Sequence, residues 1–378
     1  MKKGWEYIEL HKKCIVQNGF AFNSKEFNGV NGVPLIRIRD IKRGFSETFT
    51  SEICSSDYYV ENGNLLVGMD GDFNVGIWNG GHALLNQRVC MIKPSNNYNV
   101  KFLYYYLPNI LNRINQKTSF STVKHLSSKQ VNKINIPDIS ENEQRRIVSY
   151  LDSSFDLIDK IKENALKSLS EAKALFQSAL AEAMEPKEGW EEKKLYDISI
   201  YSIGLTYKPN DVSEKGTIVL RSTNIQDDKL NFDDIVRVNT KIKDSLYVKN
   251  GDILMCSRNG SPRLVGKVAK IENISEPMTF GTFMMIIRSD YNDYLYYFFK
   301  SDCFRNQIKH GEANMINQIT RYMLDDVIIN LPSISEQKQI VSRLDSLSSK
   351  VRAIEEKYQK MIAECDAMKQ SMLREVFE

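Results

Sequence analysis

Two stretches of the chain carry apolar residues at a seven-residue spacing, and they predict two long helices. In residues 141–185 one row is Leu151, Ile158, Ala165, Ala172 and Ala179. Beside it run Val148, Phe155, Leu169, Phe176 and Ala183, interrupted by Lys162. In residues 336–378 the rows are Leu344, Val351, Tyr358, Cys365, Met372 and Ile340, Leu347, Ile354, Met361, Met368. Paired rows of this length predict a coiled coil. Pro186 and Gly189 stop the first helix. Small Ala positions in the first helix complement Met, Tyr and Cys positions in the second, which favours pairing, and an antiparallel arrangement is expected.

The pattern before each helix is different. Leu35-Ile36-Arg37-Ile38-Arg39 alternates as a half-buried strand does, and Val89-Cys90-Met91-Ile92 is a short apolar run. Asn62-Gly63 and Gly71-Asp72 are turn signals. Residues 100–115 are aromatic and helical in pattern. Thr217–Arg221, Asn250-Gly251 and Met284–Ile287 repeat the same order later.

The repeat extends to identities. Gly4-Trp5-Glu6 matches Gly189-Trp190-Glu191, and Tyr59–Leu66 matches Tyr247–Leu254. Phe102–Leu107 matches Tyr294–Phe299. Ile139-Ser140-Glu141-Asn142-Glu143-Gln144-Arg145-Arg146-Ile147-Val148 matches Ile334-Ser335-Glu336-Gln337-Lys338-Gln339-Ile340-Val341, each after a proline and each followed by Leu-Asp. The first copy carries a two-residue insertion, Asn142 and its neighbour. The expected fold is therefore α+β. Two pseudo-repeated mixed α/β domains, 1–140 and 189–334, are separated by long helices at 141–188 and 335–378 that pair as an antiparallel coiled coil. A constant framework with divergent loops suits a binding scaffold that changes what it reads.

Composition narrows the chemistry. Hydrophobic content of 42% and charged content of 26% are those of a soluble globular protein, and no apolar run reaches the length of a membrane span. A cytoplasmic location is expected. The six cysteines form no CxxC pair and the four histidines are scattered, so neither a metal site nor a disulfide framework is expected. Residues 1–140 carry 17 Lys and Arg against 11 Asp and Glu, while residues 190–334 carry 19 of each. Only the first domain has a basic excess. Nucleotide-binding glycine loops, Gly-x-Ser-x-Gly, HExxH and any Pro-Pro pair are absent. Glu171-Ala172-Lys173 and Glu355-Glu356-Lys357 lie on the helices as surface charge, and Gly68–Asp72 reads as a turn. No catalytic residue is assigned, and the chain is not expected to be an enzyme.

The duplicated order and the two Gln-x-x-Ile-Val-x-x-Leu-Asp helix starts resemble the specificity subunit of Type I restriction–modification enzymes. The resemblance spans the whole chain. It implies two target recognition domains, each reading one half of a split, asymmetric double-stranded DNA site. It implies that the helices hold the readers a fixed distance apart and dock two modification (methyltransferase) subunits. Those would carry S-adenosylmethionine, and two restriction subunits using ATP and Mg2+ can join. This chain itself would hold no cofactor and meet no membrane. A repeat-containing protein–protein scaffold that leaves DNA alone is the alternative.

Base readout needs Arg, Asn or Gln forks, and phosphates take Lys, Arg, Ser, Thr and backbone amides. The first domain offers Arg37, Arg39, Lys42 and Arg43, then Gln87 and Arg88, then Lys117, Ser119 and Lys124. The second offers Arg221 and Asn224, then Arg258, Asn259, Ser261 and Arg263, then Asn317 and Gln318. The segment 257–263 stands out, with Gly and Pro for an exposed loop, two Arg and no apolar anchor. The aromatic rows Tyr104–Tyr106 and Tyr296–Phe298 read as core.

Overall fold

The fold is described from a computed structural model, which describes residues 2, 4–95, 98–117, 124–308 and 318–378. The chain divides into two compact units, one of residues 1–165 with 360–378 and one of residues 166–359.

In the first unit, Gly4-Trp5-Glu6 leads into the strand Tyr7–Glu9. It pairs antiparallel with Asn135–Pro137, the last strand before the long helix. This clasp explains why the repeat opens on Gly-Trp-Glu and closes on a proline. One four-stranded antiparallel sheet has the order Cys14–Asn18, Val89–Pro94, Leu65–Gly68, Val75–Ile77. A second has the order Phe49–Thr50, Val33–Ile36, Ala83–Leu85, Tyr59–Val60, its central pair parallel. The Leu35–Arg39 alternation does not continue as a strand. The strand stops at Ile36, and Ile38–Asp40 forms a 3-10 turn, because the Asp40 carboxylate accepts the Arg37 backbone N–H at 2.9 Å.

The second unit repeats this plan. Glu191–Lys194 pairs antiparallel with Ile328–Leu331. The antiparallel sheet has the order Ile200–Ile203, Met284–Arg288, Ile253–Cys256, Val268–Lys270. The companion sheet has the order Arg237–Val238, Val212–Leu220, Met278–Phe280, again with one parallel pair. The Asn-Gly turns hold their glycines at positive φ, +91° at Gly63 and +88° at Gly251. Asn64 and Asp252 close these turns by accepting backbone N–H groups at 2.8 and 2.7 Å. Asp252 is buried and also takes the Arg288 fork at 2.8 and 2.9 Å.

The long helices run Glu141–Met184 and Ile334–Phe377. They pair antiparallel within each unit. In the first, Asp159 meets Lys369 at 2.5 Å and Lys162 meets Asp366 at 2.7 Å. Lys162, the interruption in the apolar row, is thus satisfied by a partner on the opposite helix. In the second, Lys173 meets Glu355 at 3.2 Å and Glu182 meets Arg343 at 3.3 Å. Leu151, Ile158, Ala165, Leu344, Val351 and Cys365 are buried, whereas Ile354 and Met368 of the second row are exposed. Burial draws on both rows of the first helix: Val148, Phe176 and Ala183 are also buried, while Ala172 and Ala179 are half-buried.

The repeated helix starts tie the helices to the sheets. Gln144 is fully buried, its carbonyl accepting Asn99 N–H at 2.8 Å and its amide donating to Ile139 O at 3.0 Å. Gln337 donates to Pro332 O at 2.9 Å. Asp152 accepts the Tyr105 hydroxyl at 2.5 Å and Lys101 Nζ at 2.6 Å, and Asp345 accepts the Tyr297 hydroxyl at 2.5 Å. The aromatic rows are packed against the helices: Tyr106, Tyr297 and Phe298 are buried and Tyr104 and Tyr105 half-buried. Partial burial of Asp152 works against its ionisation, but the hydrogen bonds from Lys101 and Tyr105 outweigh it and hold the carboxyl below its ordinary value.

Candidate nucleic-acid interface

Each unit contains a three-way crossing built by the same backbone bonds. In the first unit the segment leaving the strand Leu65–Gly68 meets the hairpin before Val89–Pro94 and the segment before the short helix Ser128–Asn132. Met69 N–H donates to Arg88 O at 2.9 Å, Leu126 N–H donates to Met69 O at 2.7 Å, and Asp70 bridges His125. In the second, Ser257 N–H donates to Phe283 O at 2.9 Å, Ile319 N–H donates to Ser257 O at 2.7 Å, and Arg258 bridges Gln318. Three positions correspond: Asp70 with Arg258, Arg88 with Phe283, and His125 with Gln318. The backbone is shared and every side chain differs.

The side chains at the crossings are exposed, apart from the half-buried Asp70, and polar, apart from Phe283. Asp70 takes His125 Nδ1 at 2.7 Å and Arg88 Nε at 3.5 Å, so the outer nitrogens of the Arg88 guanidinium remain available. Gln318 Oε1 accepts Arg258 Nη2 at 2.6 Å. Arg258, Gln318, Thr282, Arg321, Tyr322 and Asp325 line a recess of about 610 Å³ with Ile319 and Met285 on its apolar side. Tyr322 is 82% exposed at its edge, an aromatic face open to solvent.

The remaining candidates separate by environment. Arg37 and Lys42 are exposed and have no carboxylate partner among the described residues. Arg39 donates to Thr48 Oγ1 at 3.3 Å, and Arg43 pairs with Glu47 at 3.6 Å. Gln87 is exposed on the hairpin tip and Lys117 at the end of the helix Val100–Lys117. Lys124 donates to the Asn115 carbonyl and side chain at 2.8 and 2.9 Å, which makes it a latch for its own segment. Arg221 is engaged by Asp234 at 2.7 Å. Asn259 donates to Ser222 Oγ at 3.1 Å and accepts Ser261 N–H at 2.9 Å, stitching the 257–264 loop to the turn after the strand Val212–Leu220. Ser261 and Arg263 are exposed, and Arg263 has no carboxylate partner among the described residues. Ser119 and Asn317 lie outside the described residues.

Asn224 corrects the expectation. It is fully buried, accepts Arg221 N–H at 2.9 Å and donates to Asn231 O and Asp234 O, both at 2.9 Å. Every polar group of its side chain is used within the loop, so it offers nothing to a ligand. Asp40 holds the corresponding place after Arg37. The 3-10 turns, not reading, account for the repeated Arg-x-x-Asp/Asn spacing.

Asp70, Arg321 and Tyr322 were not singled out by sequence. Asp70 sits at positive-φ Gly71, inside a segment that reads as a plain turn. The signal available was the alignment of Gly68-Met69-Asp70 with Cys256-Ser257-Arg258, one block downstream of the Asn-Gly turns. No group of His, Cys, Asp and Glu able to hold a metal ion occurs among the described residues, and there no helix is long and apolar enough to cross a membrane.

Two α+β sheet modules, each clasped to an antiparallel helix pair and each presenting the same backbone crossing with different side chains, define a duplicated recognition scaffold. The model of the Type I restriction modification DNA specificity domain matches residues 2–171 and 187–363, and the chain belongs to that family. It is 30% identical to the Type I restriction enzyme EcoBI specificity subunit of Escherichia coli, over 99% of this chain and 85% of that one. It is 22% identical to the MjaVIII specificity subunit of Methanocaldococcus jannaschii, over 84% and 79%. A solved structure described as the basis of complex assembly and conformational transition of the type I R-M system shares the fold, with a TM-score of 0.79 at 18% identity, covering 100% of this chain and 98% of that one. The HsdS subunit from Thermoanaerobacter tengcongensis matches at a TM-score of 0.56 and 18% identity, over 100% and 97%.

Proposed function

We propose that this chain is the non-catalytic, DNA-reading subunit of a Type I restriction–modification complex in the cytoplasm. Each unit reads one half of a split, asymmetric duplex site. The paired helices dock two modification subunits, which bring S-adenosylmethionine, and two restriction subunits using ATP and Mg2+ join them. The observation that supports this most is the duplicated crossing, a fixed backbone frame with exchanged side chains, in a chain matched by the specificity family in both halves. The clamps at Gln144 and Asp152, and at Gln337 and Asp345, support rigid presentation of each reader by the helices.

The test is co-expression with the modification subunits and mapping of methylated adenines in the host genome. A two-part motif with a fixed gap is expected. The chain alone, incubated with labelled S-adenosylmethionine and duplex DNA, should incorporate no methyl groups and leave the duplex uncut. Substantial methyl transfer without a partner would overturn the non-catalytic assignment. Failure of the assembled complex to bind duplex DNA would favour a protein–protein scaffold instead.

A further inference from the structure

The two crossings solve one problem with permuted residues. In the first unit an arginine stands at the hairpin position (Arg88) and its acceptor at the loop position (Asp70), with His125 as the third member. In the second the arginine stands at the loop position (Arg258) and its acceptor at the third position (Gln318), with Phe283 at the hairpin. Each crossing thus contains one exposed arginine beside one acceptor, hydrogen-bonded at 2.6 Å in the case of Arg258 and ion-paired at 3.5 Å in the case of Arg88, with the other guanidinium nitrogens turned elsewhere. An arginine fork pre-oriented in this way suits guanine, whose O6 and N7 accept two parallel N–H bonds in the major groove.

We propose that each unit reads one guanine of its half-site through this arginine, Arg88 in the first and Arg258 in the second, and that Asp70 and Gln318 are positioning residues that set the fork. The inference rests on the reading of the chain as a DNA-binding subunit and adds which side chains carry selectivity and for which base. A mere surface ion pair is a weak alternative account: exposed pairs contribute little to stability, and neither an ion pair nor Gln318 explains why both units spend an acceptor on an exposed arginine at the same backbone crossing. Arg39 and Arg43 differ, since Arg39 contacts Thr48 and Asp40, Arg43 pairs with Glu47, and neither belongs to a crossing.

The experiment uses the full chain assembled with its modification subunits. Methylated-motif sequencing and binding to duplexes varied at one base pair are read for R258K, Q318A, R258K with Q318A, R88K and D70A. R258K should lower the preference for guanine at one position of one half-site by about ten- to a hundredfold, the worth of a bidentate contact. Q318A should relax the same position by a smaller factor, and the double variant should relax it no further than R258K alone, because the two act as a unit. R88K and D70A should do the same at one position of the other half-site. A merely structural role for Asp70 or Gln318 would weaken binding to every sequence alike and leave the guanine preference intact, and that result overturns the inference. So does relaxation by Q318A at a position other than the one R258K affects. If the unaltered complex shows no two-part motif at all, the DNA-reading assignment itself has failed.

Discussion

Replacing Asn224 by Ala should destabilise the second unit without changing the base that any arginine reads. The side chain is fully buried, and truncation removes three hydrogen bonds of 2.9 Å at once. The Asp234 carbonyl keeps a long bond from Arg221 Nη2 at 3.4 Å, so its loss is partial. Arg221 N–H and Asn231 O lose their Asn224 partner. A buried group left unpaired costs about 1–3 kcal/mol, and we expect a total of about 3 kcal/mol. Asn224→Asp keeps the acceptor, as Asp40 does in the first unit, but loses both donations, so it should rescue only part of the loss. Urea unfolding followed by circular dichroism measures this as a fall in the midpoint of the transition belonging to residues 166–359, at unchanged slope. The same variants are assembled with modification subunits and their methylated motif is sequenced. A stability change below about 0.5 kcal/mol together with altered selectivity at one base pair would show that Asn224 contacts DNA and that its burial has been misread.

Asp152 gives a pH dependence with a definite sign. Its folded value lies below the ordinary 3.8, so its contribution is complete above that value and disappears as pH falls through the depressed one. D152N should therefore be less stable than the parent at neutral pH and should lose less on acidification below about pH 4, as followed by acid titration of the helical signal; equal acid sensitivity of the two proteins would refute the clamp. Adding four residues to each long helix, a step that keeps the apolar stripe on roughly the same face but locally unwinds the supercoil, lengthens the spacer by roughly 1.5 Å per residue. The gap in the methylated motif should then grow by one or two base pairs with both half-site sequences unchanged, and an unchanged gap in an active complex would remove the helices from the role of ruler.

The helices and the duplication were legible because their signals are periodic and local. A seven-residue apolar spacing has one physical reading over such a length, and repeated Gly-Trp-Glu and Gln-x-x-Ile-Val blocks align without structural help. The site was legible only in part. Arg258 and Arg88 belong to polar loops and are visible as such. Their partners are not, because Gln318 lies 60 residues from Arg258 and the acceptor for Arg88 hides in a turn. Asn224 shows the opposite error. Asn224 in the run Arg221-Ser222-Thr223-Asn224 reads as a fork for adenine, whereas the same amide, turned inward, closes a loop on two carbonyls and one N–H.

The location of identity and difference in the repeat follows from this geometry. Gln144 and Gln337, Asp152 and Asp345, and the Tyr105 and Tyr297 hydroxyls recur because they bond where a sheet module meets a helix, all of them buried or half-buried except the exposed Asp345. A change there leaves a polar group unpaired and loosens the module. At the crossings the backbone N–H and C=O groups satisfy one another, so their side chains are free of that duty. The frame survives Asp, Arg or His replacing Arg, Phe or Gln, because it rests on bonds such as Met69 N–H to Arg88 O and Ser257 N–H to Phe283 O. If the crossings read DNA as proposed, a scaffold that separates holding from reading in this way would acquire a new specificity by substitution at a few exposed positions while its stability stays where it was.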